Sequence, residues 1–256
     1  MSVDRFYQYV LYAVLVFVPF AFFFNTEIFH ALNCSPANTR LNWLFLLLTS
    51  LADGLWVIMI ATVAQSLRPR NFAVLIIALV IGNILLHSGK FLFNADRPLL
   101  SLGTGQVCIL GLPLTSRSFP SGHAFSAILL FLFLRPRHSL WAGAIVLSLA
   151  IAGAVSRIYV GVHFPRDIVT GGLIAVAAWF LAEILAPRLH LWQMAQGTRT
   201  AGLVIVGAGT ALVYIFLYHE KTRELEYLLT PAAYGVVAYW LIFAANRFFR
   251  RTATQP

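Results

Sequence analysis

Lys90, Arg97, Ser121, Gly122, His123, Arg157, His163 and Asp167 are the residues whose types and spacing could do chemistry, and they fall into three short stretches. In KFLFNADRP, residues 90–98, a Lys and an Arg stand seven residues apart. If one helix runs through both, seven residues make about two turns and a rise of about 10 Å, and both cations project from one face. FPSGH, residues 119–123, stands immediately before an apolar run. There Pro120 and Gly122 interrupt what precedes, Ser121 can cap a new helix, and the N–H groups of its first turn favour an anion such as phosphate. In SRIYVGVHFPRD, residues 156–167, the Asp167 carboxylate follows the His163 imidazole by four residues. It can accept one ring N–H and leave the other nitrogen as a nucleophile. Each stretch alone also has a plainer reading: snorkelling cations, a capped helix start with an interfacial His, and a helix-capping Asp beside a solvent-facing His.

The elements that hold these residues must be membrane helices. Of the 256 residues 60% are hydrophobic and only 11% charged, against roughly half and a quarter in soluble domains. The apolar residues arrive in eight runs of about helical span length, roughly 6–24, 43–66, 72–93, 121–135, 139–157, 168–186, 201–219 and 232–249. The fourth is the shortest. The first reads as a retained span, because it is too long for a signal-peptide core and no small-x-small cleavage site follows Phe24. With no repeat and no Ser- or Gly-rich linker, the expected fold class is all-α, a single polytopic membrane domain.

The net charge of +9 is scattered over short loops, which argues for topology signals and against a nucleic-acid partner. With the N-terminus in the cytoplasm, ten of the eighteen Lys and Arg lie inside: Arg5, Arg68, Arg70, Arg135, Arg137, Arg188, Arg199, Arg247, Arg250 and Arg251. Eight lie outside: Arg40, Lys90, Arg97, Arg117, Arg157, Arg166, Lys221 and Arg223. Setting aside Lys90, Arg97 and Arg157, which belong to the polar stretches, the bias becomes ten to five. All three stretches then fall at outer helix junctions. Two Cys without C-x-x-C or H-E-x-x-H spacing exclude the common zinc, haem and iron-sulfur frameworks, so no metal is expected.

That common placement outweighs the three plainer readings taken one at a time. Two imidazoles and three cations around a helix N-terminus suit phosphoryl transfer, in which positioning and charge neutralisation carry most of the catalysis. Here the chain resembles the type 2 phosphatidic acid phosphatase superfamily of membrane lipid phosphatases, whose motifs K-x6-R-P, P-S-G-H and S-R-x5-H-x3-D are matched in full by these stretches. The resemblance implies a six-helix phosphatase core, assigned to residues 1–190; the last two apolar runs, in 191–256, fall outside that expectation and are read as two additional transmembrane helices of the same membrane domain. It implies that His163 is the nucleophile, Asp167 its orienting partner and His123 the acid for the leaving group. Lys90, Arg97, Ser121, Gly122 and Arg157 would bind phosphate, with no metal and no cofactor.

The activity so implied is phosphate removal through a phosphohistidine from a lipid phosphate or pyrophosphate: undecaprenyl pyrophosphate, phosphatidylglycerol phosphate, phosphatidate or a lipid A type. Transfer to a lipid or sugar hydroxyl is the alternative, and a non-enzymatic lipid transporter, which interrupted mid-membrane helices would signal, is the remote one. The expected location is a bacterial cytoplasmic membrane with the site on its outer face. Among other polar residues, Asp53 inside the second run is expected to be structural, satisfied by Thr49 and Ser50. His87 reads as packing or support, Asp96 as a turn former or partner of Arg97, and Trp43 and Tyr234 as interfacial anchors. Cys34 and Cys108 are expected in outer loops as two small apolar residues with no bond, a disulfide being the alternative.

Overall fold

The computed structural model describes residues 3–34, 38–65, 69–136, 138–188, 196–218 and 225–252. Arg68, Arg137, Lys221 and Arg223 of the charge count, and the boundary between 190 and 191, lie outside these residues. Regular structure among the described residues is all helix, with no strand; a chain this apolar satisfies its backbone in lipid by closing hydrogen bonds within each segment. The helices are α1 (Val3–Phe23), α2 (Asn25–Leu32), α3 (Thr39–Leu51), α4 (Gly54–Ala64), α5 (Pro69–Phe93) and α6 (Pro98–Leu102). They continue as α7 (Gly122–Leu134), α8 (Leu140–Tyr159), α9 (Pro165–Leu185), α10 (Gln196–Val213), which ends in a π-helical turn Tyr214–Tyr218, and α11 (Glu226–Thr252).

Among the described residues all eight apolar runs are mainly helical; the second is bent within itself, and the chain also turns sharply where the first one ends. The chain turns by 91° between α1 and α2, and by 66° between α3 and α4. Four stretches are long and apolar enough to cross a membrane, six if each bent pair is one span, with Gly122–Leu134 and Gly202–Phe216 as shorter apolar helices. The protein is an integral membrane protein. Large side chains such as Phe91, Trp141, Ile205 and Phe216 are exposed, as lipid-facing positions should be.

The short helix α7 is the axis of the bundle, packed by α4, α5, α8 and α9. Phe125, Leu129 and Phe133 stack along its buried side against Leu75 of α5, Leu147 of α8 and Trp179 of α9. A separate cluster joins α4 to the last two helices, with Trp56 and Met59 against Tyr214, Leu229 and Ala233. A third underlies the outer junctions and includes Phe29 of α2, Ala124 of α7, Ile158 of α8 and Phe164.

Candidate active site

The α8–α9 junction is built by backbone that folds back on one carbonyl. The N–H groups of Val162 and His163 both donate to the Arg157 oxygen at 3.1 Å, and Gly161 takes φ +82°, open to glycine at little strain. A Cβ there would also collide with the Cys108 carbonyl oxygen. Pro165 then opens α9 at a position where its missing N–H is not needed. Asp167, in the first turn, accepts the Phe164 N–H through Oδ2 at 3.0 Å. The same oxygen lies 3.2 Å from His163 Nδ1 and accepts the Ser118 hydroxyl at 2.5 Å. Capping and orienting, the two readings the sequence allows for Asp167, are therefore done by one carboxylate oxygen.

These contacts assign the tautomer of His163. Nδ1–H faces Asp167, so Nε2 carries the lone pair, and Arg97 Nη1 donates toward it at 3.2 Å. The imidazole is 2% exposed. Burial pushes its pKa from the ordinary 6.5 down to about 3, against the opposing pull of Asp167.

The cations converge, though not from one helix. α5 stops at Phe93, and Asn94 at φ +40° turns the chain aside, a conformation Asn tolerates better than most residues. Arg97 is instead the buried N-cap residue of α6, so the two-turn geometry expected for Lys90 and Arg97 is not what joins them. Both hold the segment before Pro120. Lys90 Nζ donates to the carbonyls of Arg117 and Ser118 at 3.2 and 3.5 Å, and Arg97 Nε to that of Ser116 at 2.9 Å. A further Arg97 bond to the Val162 carbonyl at 2.8 Å ties this segment to the His163 turn. Asp96 is not the partner of Arg97. Buried Arg157 donates to Thr49 Oγ1 at 2.6 Å.

Ser121 opens α7, its hydroxyl accepting the Ala124 N–H at 3.4 Å and its own N–H donating to the Asp167 carbonyl at 3.0 Å. This clamps the α7 start to α9 and leaves the N–H groups of Gly122 and His123 as the donors of the first turn. The approach depends on Gly171, where a Cβ would collide with the Ser121 carbonyl oxygen. Lys90, Arg97, Arg157 and His163 all lie within electrostatic reach of the His123 imidazole. The candidate residues are thus brought together around the start of α7.

Four neighbours escape the motif reading. Ser118 touches both members of the His163–Asp167 pair, Thr49 holds Arg157, and Asp53 Oδ2 stands 3.4 Å from His123 Nε2. The Ser50 hydroxyl turns back to the Leu46 carbonyl at 2.9 Å, while the Ser50 carbonyl accepts the Asp53 N–H at 3.1 Å. The fourth is Asn33, whose side chain bonds the Cys108 backbone through both N–H and C=O and the Tyr159 carbonyl. Beside it Cys34 and Cys108 are joined in a disulfide with Cα atoms 5.6 Å apart, which replaces the expected unbonded pair. His87 also departs from expectation: it is exposed, and its Nδ1 donates to the Asn83 carbonyl at 2.9 Å. Trp43 and Tyr234 are exposed.

A buried imidazole with a fixed lone pair, a second imidazole and three converging cations at a helix N-terminus have the chemistry that phosphoryl transfer calls for. Residues 70–190, which contain all three motifs, match the family model described as the PAP2 superfamily. An undecaprenyl-diphosphatase of Sulfolobus acidocaldarius is 29% identical over 179 residues, 67% of this chain and 84% of that protein. The bacitracin transport permease protein BcrC of Bacillus licheniformis is 41% identical over 76 residues, 28% of this chain and 35% of its own length. The crystal structure of Aquifex aeolicus LpxE superimposes with a TM-score of 0.55 and 30% identity, covering 62% of this chain and 93% of that one. The chain belongs to the PAP2 superfamily. It is a membrane lipid phosphate phosphatase.

Proposed function

We propose that this enzyme removes phosphate from lipid phosphates or pyrophosphates by two in-line displacements at His163. Nε2 attacks phosphorus, the lipid alcohol or lipid monophosphate departs with a proton from His123, and water then cleaves the phosphohistidine. Lys90, Arg97 and Arg157, with the first-turn N–H groups from Gly122 onward, receive the charge of the equatorial oxygens, and Ser121 shapes that turn. The observation that carries this reading is the orientation of His163. A buried neutral imidazole, its Nδ1–H on Asp167 and its Nε2 toward Arg97, is a nucleophile already aimed at an anion site. The cations supply the charge neutralisation for which a metal would otherwise serve, and the two carboxylates near the site each face an imidazole.

Undecaprenyl pyrophosphate leads the substrate panel on the strength of the Sulfolobus relative's name. None of the candidate residues comes from α10 or α11, which supports a phosphatase core within residues 1–190. The outer-face assignment is supported by the ten-to-five charge bias and by the disulfide beside the site, which belongs in an oxidising space. The test is trapping. Purified protein quenched in alkali after brief exposure to labelled undecaprenyl pyrophosphate, phosphatidylglycerol phosphate or phosphatidate should carry acid-labile label on His163. Turnover without label in wild type and unaffected by His163→Ala would refute the covalent route.

A further inference from the structure

The bend between α3 and α4 puts a carboxylate where a membrane helix would normally avoid one. Asp53 is extended, with ψ 144°, and caps α4 by accepting the Leu55 N–H through Oδ1 at 2.9 Å. Ser, Thr or Asn can cap a helix about as well without bringing a charge into an apolar setting, so capping does not explain the choice of Asp. The other oxygen does. Oδ2 lies 3.4 Å from His123 Nε2, with the two side chains only 13% and 24% exposed. The contact joins two elements already in register: α4 packs on α7, and Gly54, the residue after Asp53, lies against Ser126 one turn beyond the start of α7. Lys90, Arg97 and Arg157 around that imidazole are all cationic. Asp53 is the carboxylate that meets it directly.

We propose that Asp53 is the positioning residue of His123, holding its Nε2–H so that the ring is oriented and its imidazolium form offset while the Nδ1–H is the proton given to the leaving group. As the P–O bond breaks, the leaving oxygen takes the bonding pair and the Nδ1 proton, His123 becomes neutral, and Asp53 stays ionised. The site then holds two carboxylate–imidazole pairs: Asp167 with His163 for attack, and Asp53 with His123 for departure. The inference rests on the reading of His123 as the acid and extends it to a residue outside all three motifs.

The test compares leaving groups in the purified full-length enzyme. Phosphatidate releases an alkoxide that needs the proton, whereas p-nitrophenyl phosphate releases a stabilised phenolate. Asp53→Asn keeps the cap and the size, removes the charge and turns an amide donor in place of an acceptor toward Nε2. Its kcat on phosphatidate should fall about 10- to 100-fold, and the ratio of phosphatidate to p-nitrophenyl phosphate turnover should fall at least tenfold. His123→Ala should bias the ratio in the same direction, with Asp53→Asn adding little on top of it. Asp53→Ser, which also caps, serves as the second variant if Asn folds poorly. Equal losses on both substrates, or none, in protein that stays monodisperse and melts near wild type would overturn the proposal. A His163→Ala protein that still turns over both substrates would instead remove the covalent mechanism, so the two failures are told apart.

Discussion

At the residue scale the decisive group is Asp167 Oδ2, which receives the Phe164 N–H, the Ser118 hydroxyl and the His163 Nδ1–H. Three donors on one buried oxygen stabilise the carboxylate and fix the ring it faces. Asp167→Asn is expected to lower kcat at least 100-fold by offering the wrong partner to Nδ1. Ser118→Ala, which leaves two donors, should cost about tenfold, and KM for a common lipid phosphate should change less than kcat in both. The pH behaviour follows from His163 itself. Burial pushes its pKa from 6.5 down to about 3, so the proposed nucleophile is unprotonated throughout the range from about pH 5 to 8. The rate of phosphoenzyme formation on an activated aryl phosphate, read by rapid quench, should therefore show no acid limb from His163 in that range. A limb near 6.5 that vanishes in no other variant would contradict the burial effect. The same difference acts on stability. Below pH 6.5 the unfolded chain protonates this His while the folded one does not until about 3, so the residue favours unfolding progressively as acid is added through that window.

At the scale of elements the site is three helix junctions held at close approach, and glycine sets the spacing. Gly171 lies one turn after Asp167 and faces the Ser121 carbonyl with no room for a Cβ, whereas a Cβ at the neighbouring Gly172 would make an ordinary 3.6 Å contact with Ile128. Gly171→Val is expected to push the α7 start off α9, breaking the Ser121 N–H bond to the Asp167 carbonyl and lowering kcat at least tenfold along with the melting temperature. Gly172→Ala should leave both close to wild type, and phosphate-release assays beside thermal melts of the two variants decide it. What the sequence revealed of these elements follows from what spacing encodes. His163 and Asp167 are four residues apart, so their pairing is a local property and could be read. Asp53 and His123, or Thr49 and Arg157, meet only because α3 and α4 bend toward α7 and α8, and hydropathy registers apolarity without bends. Asp53–Gly54 in a span did offer a helix-cap signal, a polar cap followed by a breaker. The stop of α5 coincides with the end of the third apolar run at 93, whereas the separate helix α6 that carries Arg97 is too short to register as a hydropathy pattern.

At the scale of the whole molecule, the disulfide and the charge bias bear on which way the bundle faces. Cys34–Cys108 closes a separation of 74 residues, and with the Asn33 bonds it ties the end of α2 to the 107–110 segment beside the α8–α9 turn. In the chain-entropy model such a loop contributes up to about 4 kcal/mol, so Cys34→Ser with Cys108→Ser should lower the melting temperature while sparing the reacting groups. The orientation has its own test, which the same disulfide makes clean. With the native cysteines bonded, Leu112→Cys in the loop before the candidate site and His138→Cys at the opposite end of α7 each supply one reactive thiol at an exposed position. Leu112 is 54% exposed and outside any helix, so labelling there reports access and not local unfolding. On the proposed orientation, argued from the ten-to-five bias, Arg135 and its neighbours lie inside. An impermeant maleimide should therefore modify the Leu112→Cys enzyme in intact cells and the His138→Cys enzyme only after lysis. The reverse pattern would invert the bundle and place phosphate release in the cytoplasm, where a disulfide beside the site would be out of place.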